Sequence, residues 1–203
     1  MFVSGPVWRS RFILRVFRKV TAASLLYMIA TGAYAGGLQS DPSKKQFPYL
    51  DEIRFGVLIQ DVEESNANEG SDFNLEFLFG RVAQPNGDYL RDLFLTPRPH
   101  FGANIDFDGE TNQAYFGFTW DIKLTDWLFL ETSFGGAVHD GDTDKTAKTS
   151  FGCTLNFRES VAIGVELSER LRMQLSVDHM SNAGLCDRND GLTNGGLRFG
   201  YRW

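Results

Sequence analysis

From Ile53 to the last residue, apolar and polar side chains alternate with a period of two, and the alternation hardly stops. That period marks half-buried strands, because successive side chains leave a strand on opposite faces. Ile53, Phe55, Val57 and Ile59 share one face of a first strand, and Phe73, Leu75, Phe77 and Phe79 one face of a second. Phe101, Ala103, Ile105 and Phe107 follow, then Ala114, Phe116, Phe118, Trp120 and Ile122, then Leu128, Leu130 and Phe134. From Phe151 to Leu167 the parity never breaks, so this stretch reads as one long sixth strand. Leu171, Met173, Leu175 and Val177 define a seventh strand, and Leu197, Phe199, Tyr201 and Trp203 close an eighth.

The opposite face carries Arg54, Glu76, Glu131, Arg158, Glu166, Arg172, Asp178 and Arg198. Charges of both signs suit a paired, filled interior, whereas a soluble sandwich or lipocalin-like barrel would turn its apolar side inward. The expected fold is therefore all-β: an eight-stranded antiparallel transmembrane β-barrel with hydrocarbon outside and charge within. Such a barrel has room for side chains and little else, which excludes a diffusion pore. The polar segments 61–71, 108–111, 139–148 and 182–192 become outer loops, and 123–126 and 168–170 tight inner turns. Gly80 to Pro97 is longer than inner turns usually are and is expected to form a periplasmic flap.

The first 35 residues read as an export signal: five basic residues from Arg9 to Lys19, a short apolar run from Val20 to Thr31, and Ala33-Tyr34-Ala35 for cleavage. The apolar run is too short for a spanning helix, which needs about 20 residues. Residues 36–50 are then a periplasmic lead and 51–203 the barrel. Without its five basic residues the chain's net charge falls from −6 to −11, which excludes nucleic acid as a partner. The acidic residues of the outer loops, Asp61, Glu63, Glu64, Glu69, Asp140, Asp142 and Asp144, match no calcium-loop spacing and read as solvated. His100 and His139 have interior parity and read as hydrogen-bonded fillers, so neither a metal nor a cofactor is expected.

His179 and Ser181 lie two residues apart at the top of the seventh strand, on the face that continues Leu175 and Val177. A base beside a hydroxyl at the edge of the outer leaflet can serve acyl transfer, the imidazole taking the serine proton as the oxygen attacks a carbonyl. The bland alternative is a rim histidine anchored to headgroups.

His179-Met180-Ser181-Asn182-Ala183-Gly184, followed by Asn189-Asp190-Gly191, resembles the active-site segment of the lipid A 3-O-deacylase family. The resemblance implies an outer-membrane serine esterase that removes the 3-O-linked acyl chain of lipid A in the outer leaflet. It implies Ser181 as nucleophile, His179 as base, Gly184 and Asn189 as the oxyanion site, and Asn182 and Thr193 as residues shaping the site. The family's acid would fall at Thr193, which carries no charge to stabilise an imidazolium. A non-catalytic structural or adhesive barrel that has lost the acid is therefore the alternative reading, and homodimer formation stays open.

A substitute acid follows from register. If 168–170 is a tight turn, Leu167 faces Leu171, and Glu159 faces His179 on the outward side. Facing side chains in an antiparallel pair have Cβ atoms about 4.5–5.5 Å apart, so Glu159 is expected to complete the triad. Its alternatives are a pairing with Arg170 or Arg188, or a strand break at Arg158 to Ser160. The same register places Cys153 opposite Leu185, beside Cys186, and predicts a Cys153–Cys186 disulfide in an exported chain.

Overall fold

The computed structural model describes residues 49–62, 70–147 and 149–203. The expected export signal, most of the periplasmic lead, and Glu63, Glu64 and Glu69 lie outside the described residues. Eight strands form a closed antiparallel barrel: β1 (Leu50–Ile59), β2 (Ser71–Phe79), β3 (Arg98–Asp106), β4 (Gln113–Lys123), β5 (Leu128–His139), β6 (Leu155–Glu166), β7 (Leu171–Ser181) and β8 (Leu192–Arg202). Each strand pairs with its neighbours in sequence and β1 closes on β8, so no edge is left open in hydrocarbon.

Polarity follows the alternation. Phe55, Val57, Ile59, Phe101, Phe116, Phe118, Phe134, Ile163 and Leu175 are exposed, as lipid-facing side chains are in a barrel. Arg54, Glu76, Glu131, Arg158, Arg172, Asp178 and Arg198 are buried inside it. They pair as charges in a low-dielectric interior must. Arg54 reaches Glu52 at 2.6 Å, Glu76 at 2.9 Å and Glu131 at 2.6 Å. Arg158 pairs with Asp178 at 3.1 Å, Arg172 with Glu166 at 2.8 Å, and Arg198 with Glu76 at 3.3 Å. His100 and His139 are buried too, bonded to the Thr119 hydroxyl at 2.9 Å and the Cys153 carbonyl at 2.7 Å.

The starts of two strands and the content of one connection differ from expectation. The sixth strand begins at Leu155 rather than Phe151. The intervening residues leave the ladder at Gly152, whose φ of +72° is left-handed, and Phe151 turns inward to a buried cluster with Tyr115, Ala137, Met180 and Leu192. Phe151 therefore plugs the outer end of the lumen instead of meeting lipid. The eighth strand begins five residues earlier than its apolar run, at Leu192. The long connection between β2 and β3 contains a helix, α1 (Tyr89–Leu95).

Candidate active site at the outer rim

The turn between β6 and β7 is tight, with Leu167 N–H donating to the Leu171 carbonyl at 2.8 Å. The ladder above it runs unbroken through Arg158, Glu159 and Ser160, so no strand break occurs there. Glu159 consequently faces His179 across β6 and β7, as the register requires. On its other side His179 faces Thr193 of β8. Phe118, Phe134, Glu159, His179 and Thr193 thus make one outward row across five strands. One step toward the loops, Phe116, Gly136, Phe157 and Ser181 make the next. Apolar Val161, Ile163, Val177 and Leu175 lie below these rows, and polar loops lie above. His179 and Ser181 therefore stand where hydrocarbon gives way to the headgroup region.

The histidine ring is oriented from β8. Its Nδ1 is hydrogen-bonded to the Thr193 hydroxyl at 2.8 Å. Gly191, with φ +72°, leaves room for the other edge: a Cβ there would stand 2.9 Å from Cε1 and 3.4 Å from Nε2. Neither Nε2 of His179 nor the Ser181 hydroxyl is hydrogen-bonded to another protein group among the described residues. The triad contact expected from Glu159 is not formed, because Nδ1 is turned toward Thr193 and no hydrogen bond or ion pair joins Glu159 to His179 among the described residues. Arg188 pairs with Asp190 and Arg170 contacts the Tyr201 hydroxyl, so neither claims Glu159.

The loop beyond Ser181 is organised around Asn182, whose side chain is buried. Its Nδ2 donates to the carbonyls of Phe151 and Arg188 at 2.7 and 2.5 Å, and its Oδ1 accepts from Gly184 N–H at 2.8 Å. Leu185 N–H closes a turn onto the Asn182 carbonyl at 3.1 Å. Ala183 and Gly184 both have positive φ, 54° and 78°, which makes this a type I′ turn. The Gly184 N–H expected to serve the oxyanion site is thus engaged by Asn182. The N–H of Ala183, which sequence reading did not single out, has no partner among the described residues. Asn189 lies beside Asn182: its Oδ1 accepts from Asn182 N–H at 2.8 Å, which directs its Nδ2 donor away from that bond.

Two outer loops are clasped together. The disulfide between Cys153 and Cys186 forms, with Cα atoms 6.1 Å apart, although both residues lie off the ladder. Asp190 accepts from Ser150 N–H at 2.7 Å and from Arg188 at 2.7 Å. Lys145 pairs with Asp187 at 2.6 Å. Gly152 packs so closely on the Arg188 carbonyl that any side chain would collide with it.

The fold defines an outer-membrane β-barrel, with a histidine and a serine on its outward wall. The chain belongs to the lipid A 3-O-deacylase (PagL) family, whose profile matches residues 99–202, from β3 to the end of β8. No curated protein matches it. Its fold is similar to the crystal structure of the outer membrane enzyme PagL, with a TM-score of 0.55 and 18% identity over 75% of this chain and 99% of that one. It is also similar to a de novo designed transmembrane β-barrel, with a TM-score of 0.50 and 11% identity over 79% of this chain and 100% of that one.

Proposed function

We propose that this deacylase is a serine esterase that cuts the 3-O-linked acyl ester of lipid A from the membrane side of its barrel. The carrying observation is the bond from His179 Nδ1 to Thr193, which leaves Nε2 as the nitrogen available to Ser181 on the same face. With Nδ1 protonated toward the hydroxyl, Nε2 keeps its lone pair and takes the serine proton as Oγ attacks the ester carbon. The negative charge then forming on the carbonyl oxygen is met by the Asn189 side-chain amide and the Ala183 N–H. Collapse breaks the ester bond, and the sugar oxygen leaves with the proton held on Nε2. Water, deprotonated by the same nitrogen, releases the acyl chain from Ser181 and returns the enzyme. The substrate's hydrocarbon never has to leave the bilayer.

Glu159, directly across from His179, acts on the imidazolium through space rather than through Nδ1, a role that replaces the bonded triad acid. Ser181→Ala tests the esterase: lipid A from cells carrying it should be heavier by one hydroxyacyl group than lipid A from cells with the unaltered protein. Identical lipid A in the two strains would favour the non-catalytic barrel, for which the uncharged Thr193 is the supporting observation. Glu159→Gln should lower kcat about tenfold, roughly 1.4 kcal/mol of transition-state stabilisation, and an unchanged rate removes Glu159 from the mechanism.

A further inference from the structure

The connection from Gly80 to Pro97 satisfies its own polar groups and presents its apolar ones. Val82 N–H donates to the Pro97 carbonyl, Arg81 Nη1 donates to the Thr96 carbonyl, and Asp88 caps α1 by accepting from Arg91 N–H. Asp92 accepts from the N–H groups of Asn86 and Gly87 and pairs with Arg91. Leu90, Phe94 and Leu95 remain, 65%, 54% and 58% exposed.

The other side of this connection rests on the lipid-facing wall. Even-numbered side chains of β4 point outward, and Phe116 and Phe118 are 62% and 46% exposed. Ile122 on the same face is only 8% exposed, and the ring nitrogen of Trp120 is covered. At this level β4 no longer has β3 beside it, because β3 begins at Arg98, opposite Thr119. There α1 packs against β4. A short helix that covers an outward apolar wall and is apolar on its far side too is not built for water. Trp127, exposed in the neighbouring inner turn, and Lys123 stand on the same rim, as interfacial anchors do.

We infer that α1 is a foot seated in the phospholipid of the inner leaflet, with Leu90, Phe94 and Leu95 immersed beside the barrel wall. Phospholipid is the occupant because the exposed face continues the apolar belt that the barrel already places in hydrocarbon. The foot sets the height of the barrel in the membrane, whether or not the opposite rim is catalytic.

Nitroxide labels test this in the full protein reconstituted into vesicles of phosphatidylethanolamine and phosphatidylglycerol. Both native cysteines are held in the disulfide, so a label goes only to an introduced thiol. Leu90→Cys and Phe94→Cys are compared with Phe118→Cys as a lipid-facing reference and Asp126→Cys as an aqueous one. Expected is greater accessibility to oxygen than to a water-soluble nickel chelate at positions 90 and 94, as at 118. Chelate accessibility like that at 126 overturns the inference and leaves the face to a periplasmic partner. Spin–spin broadening that vanishes on dilution with unlabelled protein overturns it in favour of a second copy.

Discussion

With its Nδ1 bonded to the Thr193 hydroxyl at 2.8 Å, the imidazole of His179 is oriented by a neutral partner. A hydroxyl holds the ring's orientation by accepting from Nδ1–H or donating to Nδ1, but it adds no charge to balance an imidazolium. A neutral hydrogen bond is worth about 0.5–1.5 kcal/mol net, so Thr193→Val should lower kcat roughly two- to twelvefold, each tenfold being 1.36 kcal/mol. Thr193→Glu, which puts a carboxylate where the family pattern has one, should raise kcat above that of the unaltered protein. Both are read from hydroxyacid release in mixed micelles, and an unaltered rate in Thr193→Val would mean that the ring is held by something else. The His-Ser pair and the Glu159 position were legible in sequence because one tight turn fixes the register of β6 against β7. Thr193 was marked only by the resemblance, as the place of the family's acid: Leu192 to Gly196 contains two glycines and lacks the alternation that reveals a strand, so the start of β8 stayed hidden.

Among elements, the Cys153–Cys186 bridge was legible from register, whereas the bonds of Asn182 and Asp190 that join 149–153 to 182–191 beside it were not. Parity misled at Phe151, since a side chain's alternation says nothing about where the chain leaves the ladder. Inward burial next to His139 captured it instead. Burial pushes the Asp190 carboxyl up, but Ser150 N–H and the Arg188 guanidinium outweigh it and hold it below the ordinary 3.8. A group depressed on folding stabilises above its unfolded value and loses that contribution as pH falls through the folded one. The clasp should therefore be intact above about pH 4 and loosen below it. Amide exchange corrected for intrinsic rates should rise there in 149–153 and 182–191 before it rises in the strands. Asp190→Asn should show the same exchange at neutral pH, and normal protection in that variant would mean that the carboxylate does not hold the clasp.

At the scale of the whole molecule, the polarity of the barrel was visible in the mixed charges of one face, whereas the partners were not. Glu52, which no alternation argument singled out, proves to be a hub bonded to Arg54 and Arg98. Arg54 lies amid Glu52, Glu76 and Glu131, all buried, so its removal leaves three carboxylates with one fewer cation. Breaking a buried ion pair from one side costs about 3–5 kcal/mol, because the remaining charge keeps its desolvation penalty. Arg54→Met should lose that much in urea unfolding from vesicles, and adding Glu131→Leu should restore part of it by removing an orphaned charge. His179 and Ser181 face outward, not into the lumen, so the folded fraction of both variants should keep its kcat. A loss below about 1 kcal/mol, the worth of an exposed pair, would mean that water reaches the lumen and screens these charges. A fall in kcat at unchanged stability would instead mean that the interior charge network is coupled to His179 through the wall.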